Sequence, residues 1–449
     1  MSHELNPAGS GIKILFASFP AHGHFNPLTG LAVHLKAQGY DVRWYTSKSY
    51  AVKLKRLDIP HFPFKRTIEI TDGDVDAAFP ERKKISSPLA KLRFDIINAF
   101  ILRGPEMFAD IQELYTTFKF DLLVADCAFT AIPFVKDIMG IPVISIGVLP
   151  LTETSKDLPP GGMGLTPSYT PIGRLRQALL RKIAYWLIFR KPNKVLHQLL
   201  DSYNIGHNKE SIFDIIVRKS TLLLQSGTPG FEYSRSDISK HVRFIGPLLP
   251  HAPAINRQWF DERLNKYERI VLVTQGTVEK DVQKLLVPTL EAFKHSKTLV
   301  ICTTGGSQTA ALKLQYPYSN IIIEDFIPFG DVMPYADAYI TNGGYGGVML
   351  GIQNRLPMVV AGVHEGKNEI CARVGYFKVG INLKTERPTP KQIRHAVNEI
   401  ICNTTYLKNA EQLGAEFEQY NPVDLCASYV AALTKANNTI INTGAFMNN

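Results

Sequence analysis

The sequence predicts an α/β protein of two doubly wound units, each a parallel sheet covered by helices. Three observations predict it. Short aliphatic or β-branched runs alternate with helical stretches over residues 12–146. The same alternation restarts after residue 260. Between them lies a proline-rich stretch, Gly246-Pro-Leu-Leu-Pro-His-Ala-Pro253, which reads as a linker. Alternation of this kind implies parallel strands joined by crossover helices. The 449 residues suit two large domains, placed at 1–250 and 251–449, which could face each other across a cleft.

Residues 12–19 form a mostly apolar run, broken only by Lys13 and Ser18, as suits a strand buried on both faces. A helix is expected over residues 26–39, with Pro27 in its first turn and Gly39 at its stop. Residues 41–46, 121–125 and 141–146 supply further strands. In the second unit, strands are expected at 270–274, 298–302, 321–324, 338–341 and 358–361. Helices are expected at 282–295, 348–353 and 391–402.

Composition narrows the class. Hydrophobic residues make up 45% and charged residues 20%, which excludes a disordered chain, a coiled coil or a disulfide-stapled mini-protein. The five cysteines are scattered, with no CxxC pair. That argues against structural zinc or a disulfide framework, and for a reducing, cytoplasmic setting. Residues 1–11 do not read as a signal peptide, and no apolar run approaches the roughly 18 residues of a membrane-spanning helix.

The net charge of +10 is uneven. Residues 1–250 hold 31 Lys and Arg against 22 Asp and Glu, and residues 251–449 hold 19 against 18. Much of the excess falls in residues 174–194, where Arg and Lys interleave with Leu, Ile, Tyr and Trp. This stretch reads as a basic amphipathic helix or helix pair. It could pack its apolar stripe on its own domain, wall an acceptor site or make a peripheral membrane contact, and plain solvation of the charge is the favoured reading. No module with interleaved stacking aromatics supports nucleic-acid binding.

Three motifs carry chemistry. The first is Pro20-Ala-His-Gly-His-Phe-Asn-Pro27, after the first strand. A dinucleotide-binding GxGxxG would stand there and is absent. A neutral imidazole at a strand tip can take a proton from a hydroxyl near neutral pH, whereas a His that merely contacts the loop would not. Asp126, at the end of another strand, could orient that imidazole or cap the next helix. The second motif is Thr341-Asn-Gly-Gly-Tyr-Gly-Gly347, a strand-to-helix turn whose backbone N–H groups could approach a phosphate. Close packing alone could also demand these glycines. The third, Gln275-Gly-Thr277, is another such turn.

Together these residues resemble the nucleotide-sugar-dependent glycosyltransferases that modify small molecules, including plant secondary-metabolite and bacterial macrolide and flavonoid enzymes. The resemblance runs along essentially the whole chain. It implies the two-domain GT-B architecture, with an N-terminal acceptor domain and a C-terminal nucleotide-sugar domain. It makes His24 the catalytic base and Asp126 its partner. His22, Phe25 and Phe129 would contact the acceptor, whose pocket would draw on residues 79–100, Phe129 and 145–190. Donor binding would fall to Gly276 and Thr277, to Phe326 and Ile327 in Phe326-Ile-Pro-Phe329, to Asn342, Gly343, Gly344, Tyr345, Gly346 and Gly347, and to Lys367 and Asn368. No cofactor or metal is implied beyond the sugar donor. The partners implied are the nucleotide sugar and a small-molecule acceptor, and a monomer or weak dimer is expected.

The departures inform the donor. The family's diphosphate His is Asn342 here, its ribose-binding Glu falls at Leu350, and its sugar-gripping Asp-Gln is Lys367-Asn368. A missing ribose carboxylate suits a ribose without a 2′-hydroxyl. This favours a TDP-sugar, and a deoxyhexose such as rhamnose, with inversion at the anomeric carbon. A lipid glycosyltransferase at a membrane surface and an inactive nucleotide-sugar-binding protein are the competing readings.

Overall fold

Two parallel sheets organise the computed structural model, which describes residues 9, 11–70, 75–250, 258–276 and 278–445, with side chains as far as residue 435. The first sheet holds β1 (Lys13–Ala17), β2 (Asp41–Thr46), β3 (His61–Pro63), β4 (Leu122–Asp126), β5 (Val143–Gly147), β6 (Leu222–Ser226) and β7 (Val242–Gly246). Their order is β3-β2-β1-β4-β5-β6-β7. The second holds β8 (Arg269–Thr274), β9 (Thr298–Thr303), β10 (Ile321–Glu324), β11 (Ala338–Thr341), β12 (Met358–Val360) and β13 (Gly380–Asn382), in the order β10-β9-β8-β11-β12-β13. All strand pairs of both sheets are parallel. In each sheet the order reverses beside the first strand of its unit. Those switch points, β1/β4 and β8/β11, open a crevice at the strand C-termini where such sheets bind ligands.

The apolar runs are explained by burial on both faces. Along β1, Ile14 and Phe16 join one core cluster while Leu15 and Ala17 join the other. Along β8, Ile270 and Leu272 divide from Val271 and Val273 in the same way. This is the two-residue alternation of a strand read from inside a three-layer sandwich.

Most expected elements form near their predicted places, with informative differences. The first helix, α1, runs His22–Ala37, four residues earlier than expected. The His24 and Phe25 N–H groups both bond the Ala21 carbonyl, so the first turn closes before Pro27 is reached. Pro27 therefore lies inside the helix, where it forfeits the bond to the Gly23 carbonyl. The helix expected from residue 282 begins at Leu286. Strands β3, β6, β7 and β13 go beyond the sequence expectation. Two are only three residues long, and β6, Leu-Leu-Leu-Gln-Ser, has no β-branched residue to separate it from a helix. Of the linker stretch, residues 251–253 lie outside the described residues.

The chain ends by returning. The helix Pro422–Ala445 packs on α1, and its Cys426, Ala427 and Val430 are buried in the core of the first sheet. All five cysteines are free. Among the described residues, no helix is long and apolar enough to cross a membrane.

The basic stretch keeps its cations exposed but departs from the expectation that its apolar stripe packs on its own domain. It forms a helix, Pro171–Ala184, a π-helical turn, Tyr185–Phe189, and a second helix, Arg190–Ser202. The first helix turns Gly173, Gln177 and Ala184 inward. Gln177 is fixed there by the Ser168 N–H (2.6 Å) and the Asp157 carbonyl (2.9 Å). The apolar stripe thus faces outward instead of packing on its own domain.

Candidate active site

β1 and β4 are neighbours in register, with Ala17 opposite Ala125, so the turns leaving the two strands meet at the same edge. After β1 the chain turns through Phe19 and starts α1 within five residues, which puts His24 in the helix's first turn. Its Nδ1 lies 2.7 Å from Asp126 Oδ1. Asp126 is fully buried at the end of β4. It also accepts the Phe19 N–H at 2.6 Å and the Ala128 N–H at 2.8 Å. A carboxylate that accepts all three fixes the imidazole with its proton on Nδ1 and leaves Nε2 a lone pair. The His24 side chain keeps 16% of its surface exposed, so that lone pair is reachable. Phe19 stands edge-on to the imidazole, 5.7 Å away, and stacks on Phe100 at 5.0 Å. Asp126 thus orients the His24 imidazole, and no side-chain cap opens the next helix, Ile132–Ile138.

His24, Asp126 and Cys127 present ligand-type atoms within 4.8 Å of one another. As a metal-binding set they fit poorly. Both Asp126 oxygens are engaged by backbone N–H groups, and burial, with the Asp126 charge beside it, pushes the Cys127 thiol up to about 12. The cluster is built to hold an imidazole.

The expected acceptor contacts need correction. Phe25 is fully buried between Trp44 and Tyr50, and Phe129 is fully buried against Tyr45. Both are core residues with no surface to offer. His22 turns away from Asp126, with its Nδ1 3.1 Å from Lys53 Nζ and its ring edge-on to Tyr50. Phe19 and Phe100 form an apolar wall beside His24; Phe100 lies in the expected 79–100 segment, whereas Phe19 is not among the expected acceptor contacts.

Across the crevice, β8 and β11 pair with Thr274 opposite Thr341, which brings their two turns side by side. The Asn342 amide ties them together. Its Nδ2 donates to the Gln275 carbonyl and its Oδ1 accepts the Gly344 N–H at 3.3 Å. The helix Tyr345–Gln353 then begins, and its first N–H groups, on Tyr345, Gly346 and Gly347, have no intrahelical acceptor. Thr277 lies outside the described residues. Gly276 has φ +77°, and so has Gly343, where a Cβ would stand 2.3 Å from Cys371 Sγ. Gly343→Ala is therefore expected to cost about 2 kcal/mol or more, from left-handed backbone and overpacking. Thermal unfolding of that variant checks this.

Phe326 comes just after β10 with 69% of its surface exposed, an open aromatic platform, while Ile327 is buried in the core of the second sheet. Leu350 also packs on that core. Lys367 opens the helix Lys367–Tyr376 and pairs with Glu365 at 2.6 Å. A small cavity beside it is lined by Gln275, Glu279, Lys284, Asn342, Lys367 and Glu386. In it the Gln275 Oε1 is buried and unbonded.

The side chains of Tyr345 and Asn368, both expected at the donor, instead fasten the two halves together. Tyr345 Oη donates to the Ser226 carbonyl at 2.8 Å. Asn368 Nδ2 donates to the Gly162 carbonyl at 2.7 Å, and Glu369 accepts the Gly164 N–H at 2.8 Å. Beneath these contacts lies a buried ion cluster. Arg373 pairs with Glu232 at 2.6 Å and with Glu369 at 3.1 Å, Arg235 pairs with Glu232 at 3.1 Å, and the Arg373 guanidinium lies 4.1 Å over the Tyr233 ring. Burial alone would raise the Glu232 carboxyl, but Arg373 and Arg235 more than reverse this and hold it below its usual range. No sequence motif marks these four charged residues.

Comparison with known proteins fits this geometry. Residues 297–431 match the model described as "Erythromycin biosynthesis protein CIII-like, C-terminal domain". The chain is 32% identical over 409 residues to 4′-demethylrebeccamycin synthase of Lentzea aerocolonigenes, covering 91% of this chain and 96% of that one. It is 30% identical over 443 residues to UDP-glucosyltransferase 1 of Beauveria bassiana, covering 92% and 94%. Among solved structures, the kitacinnamycin glycotransferase superposes with a TM-score of 0.72 at 18% identity, over 94% of this chain and 99% of that one, which shows a shared GT-B fold. The chain belongs to the nucleotide-sugar-dependent glycosyltransferases that act on small molecules.

Proposed function

We propose that the protein moves a deoxyhexose, such as rhamnose, from a TDP-sugar onto a hydroxyl of a small aromatic or polyketide acceptor, with inversion. A phenol or flavonoid is the favoured acceptor. The observation that carries the transfer step is the 2.7 Å contact between His24 and a buried Asp126 at the first sheet's switch point. His24 Nε2 takes the proton of the acceptor hydroxyl. The oxygen attacks the anomeric carbon from the face opposite the diphosphate, and the bond to the diphosphate oxygen breaks with its electron pair. Asp126 steadies the imidazolium so formed. With the Asn342 amide occupied by its own loop, the backbone N–H groups of 345–347 are left to meet the charge developing on the leaving diphosphate. The exposed ring of Phe326 supports a base-stacking role.

The TDP preference rests on Leu350. It packs apolar carbon where family members that use UDP-sugars place a ribose carboxylate. Titration calorimetry should find TDP bound more tightly than UDP, by about 1–2 kcal/mol for one hydroxyl left without its partner. Equal or tighter UDP binding overturns it. A second reading, UDP-glucose as donor, is favoured by the UDP-glucosyltransferase similarity. A matrix of UDP-glucose, TDP-glucose and TDP-rhamnose against a flavonol, a macrolide and a lipid separates the two.

A further inference from the structure

The helix Pro171–Ala184 and the turn after it expose an apolar stripe that, among the described residues, no part of this chain covers. Ile172 is 82% exposed, Leu175 73%, Leu179 57% and Trp186 60%. With Ile183 and Leu187, also exposed, they recur at helical spacing along one face. Arg176 and Lys182 fall on the two flanks of that stripe. Arg174, Arg190, Lys191 and Lys194 are exposed too, and the Arg190 guanidinium lies 4.6 Å over the Trp186 ring. No Asp or Glu occurs from residue 158 to residue 200. Among the described residues, none of these six cations is paired with a carboxylate. Arg181 is set apart, since it donates to the Leu158 carbonyl.

We propose that this face docks on an anionic lipid bilayer. Apolar residues and a tryptophan along a helix, bordered by exposed basic side chains, match an interfacial helix lying in the headgroup plane. A second copy of this chain is the poorer occupant, because a two-fold contact through this face would set the same cations against one another. The position also has a use. The turn Tyr185–Phe189 packs against the helix Pro88–Asp95. The same segment carries on to Phe100, stacked on the Phe19 that borders His24. An apolar acceptor dissolved in the bilayer would thus arrive at the acceptor wall. That consequence rests on the transfer reading, whereas the docking itself does not.

The test is flotation of the full-length protein with phosphatidylcholine vesicles, with and without phosphatidylglycerol. Of the three tryptophans, Trp44 is buried and Trp186 is exposed on this face. The protein should float with the anionic vesicles at least about tenfold better than with neutral ones, less so in high salt. Its emission should shift to the blue, a shift lost in Trp186→Phe. The double variant Leu175→Glu/Leu179→Glu, both at exposed positions, should remain folded by circular dichroism and fail to float. Absence of flotation overturns the proposal, as does flotation unchanged by the double variant. So does a dimer in sedimentation velocity that the same variant dissolves. Because no readout requires turnover, failure here leaves the transferase reading untouched, and an inactive enzyme that floats leaves the docking intact.

Discussion

His24→Ala is expected to lower kcat by about 10²–10⁴-fold, the usual worth of a positioned general base, and to leave nucleotide affinity unchanged. The split arises from the architecture. His24 sits on the first sheet's switch point, whereas the turns expected to hold the nucleotide come after β8 and β11 on the second. Asp126→Asn should approach the same loss by another route. An amide can present its NH₂ to Nδ1, which draws the lone pair to that nitrogen and puts the proton on Nε2, where it blocks the acceptor hydroxyl. Rate and calorimetry on both variants check this. Wild-type turnover in His24→Ala would end the assignment.

Arg373→Ala is expected to produce the largest loss of stability. Its side chain is 3% exposed and its partner Glu232 is 6% exposed, and breaking a buried pair from one side typically costs about 3–5 kcal/mol. Arg235 remains within 3.1 Å of Glu232, which places the cost at the lower end. Thermal unfolding should show the drop. Replacing both partners, Arg373→Met with Glu232→Gln, should recover part of it, since no bare charge is then left inside. The pH dependence has a definite sign. A carboxyl held below its unfolded value, about 4.3 for Glu, contributes stability above that pH and loses it as pH falls through the folded value. The gap between wild type and Arg373→Ala should therefore narrow on acidification. A gap that widens would show that Glu232 is not the group responsible.

The sequence is most legible where one physical signal suffices. Strands buried on both faces are mostly apolar runs, so β1, β4, β8 and β11, the four that flank the switch points, stand out. His24 and Asp126 are legible because each comes at or just after the end of such a strand. Phe25 and Phe129 mislead because an aromatic next to a functional residue looks the same whether it faces the crevice or the core. Only the packing of Trp44, Tyr50 and Tyr45 decides which. The joint made by Glu232, Arg235, Glu369 and Arg373 is invisible in the sequence. Its partners are up to 141 residues apart, and nothing local marks an ion pair that will be buried. The outward stripe at 172–187 reads as an amphipathic helix, but amphipathicity gives the existence of two faces and not which one meets the protein.

The returning helix Pro422–Ala445 imposes an order on biogenesis. Cys426, Ala427 and Val430 complete a core whose other members, such as Ile14, Phe16 and Trp44, leave the ribosome some four hundred residues earlier. During synthesis the first unit must therefore wait, with α1 uncovered along the side that this helix will take, until the whole second unit has emerged. A stop codon just before residue 422 would spare every strand and every residue of the two switch points, yet leave a nascent chain with an open seam for chaperones and proteases to find.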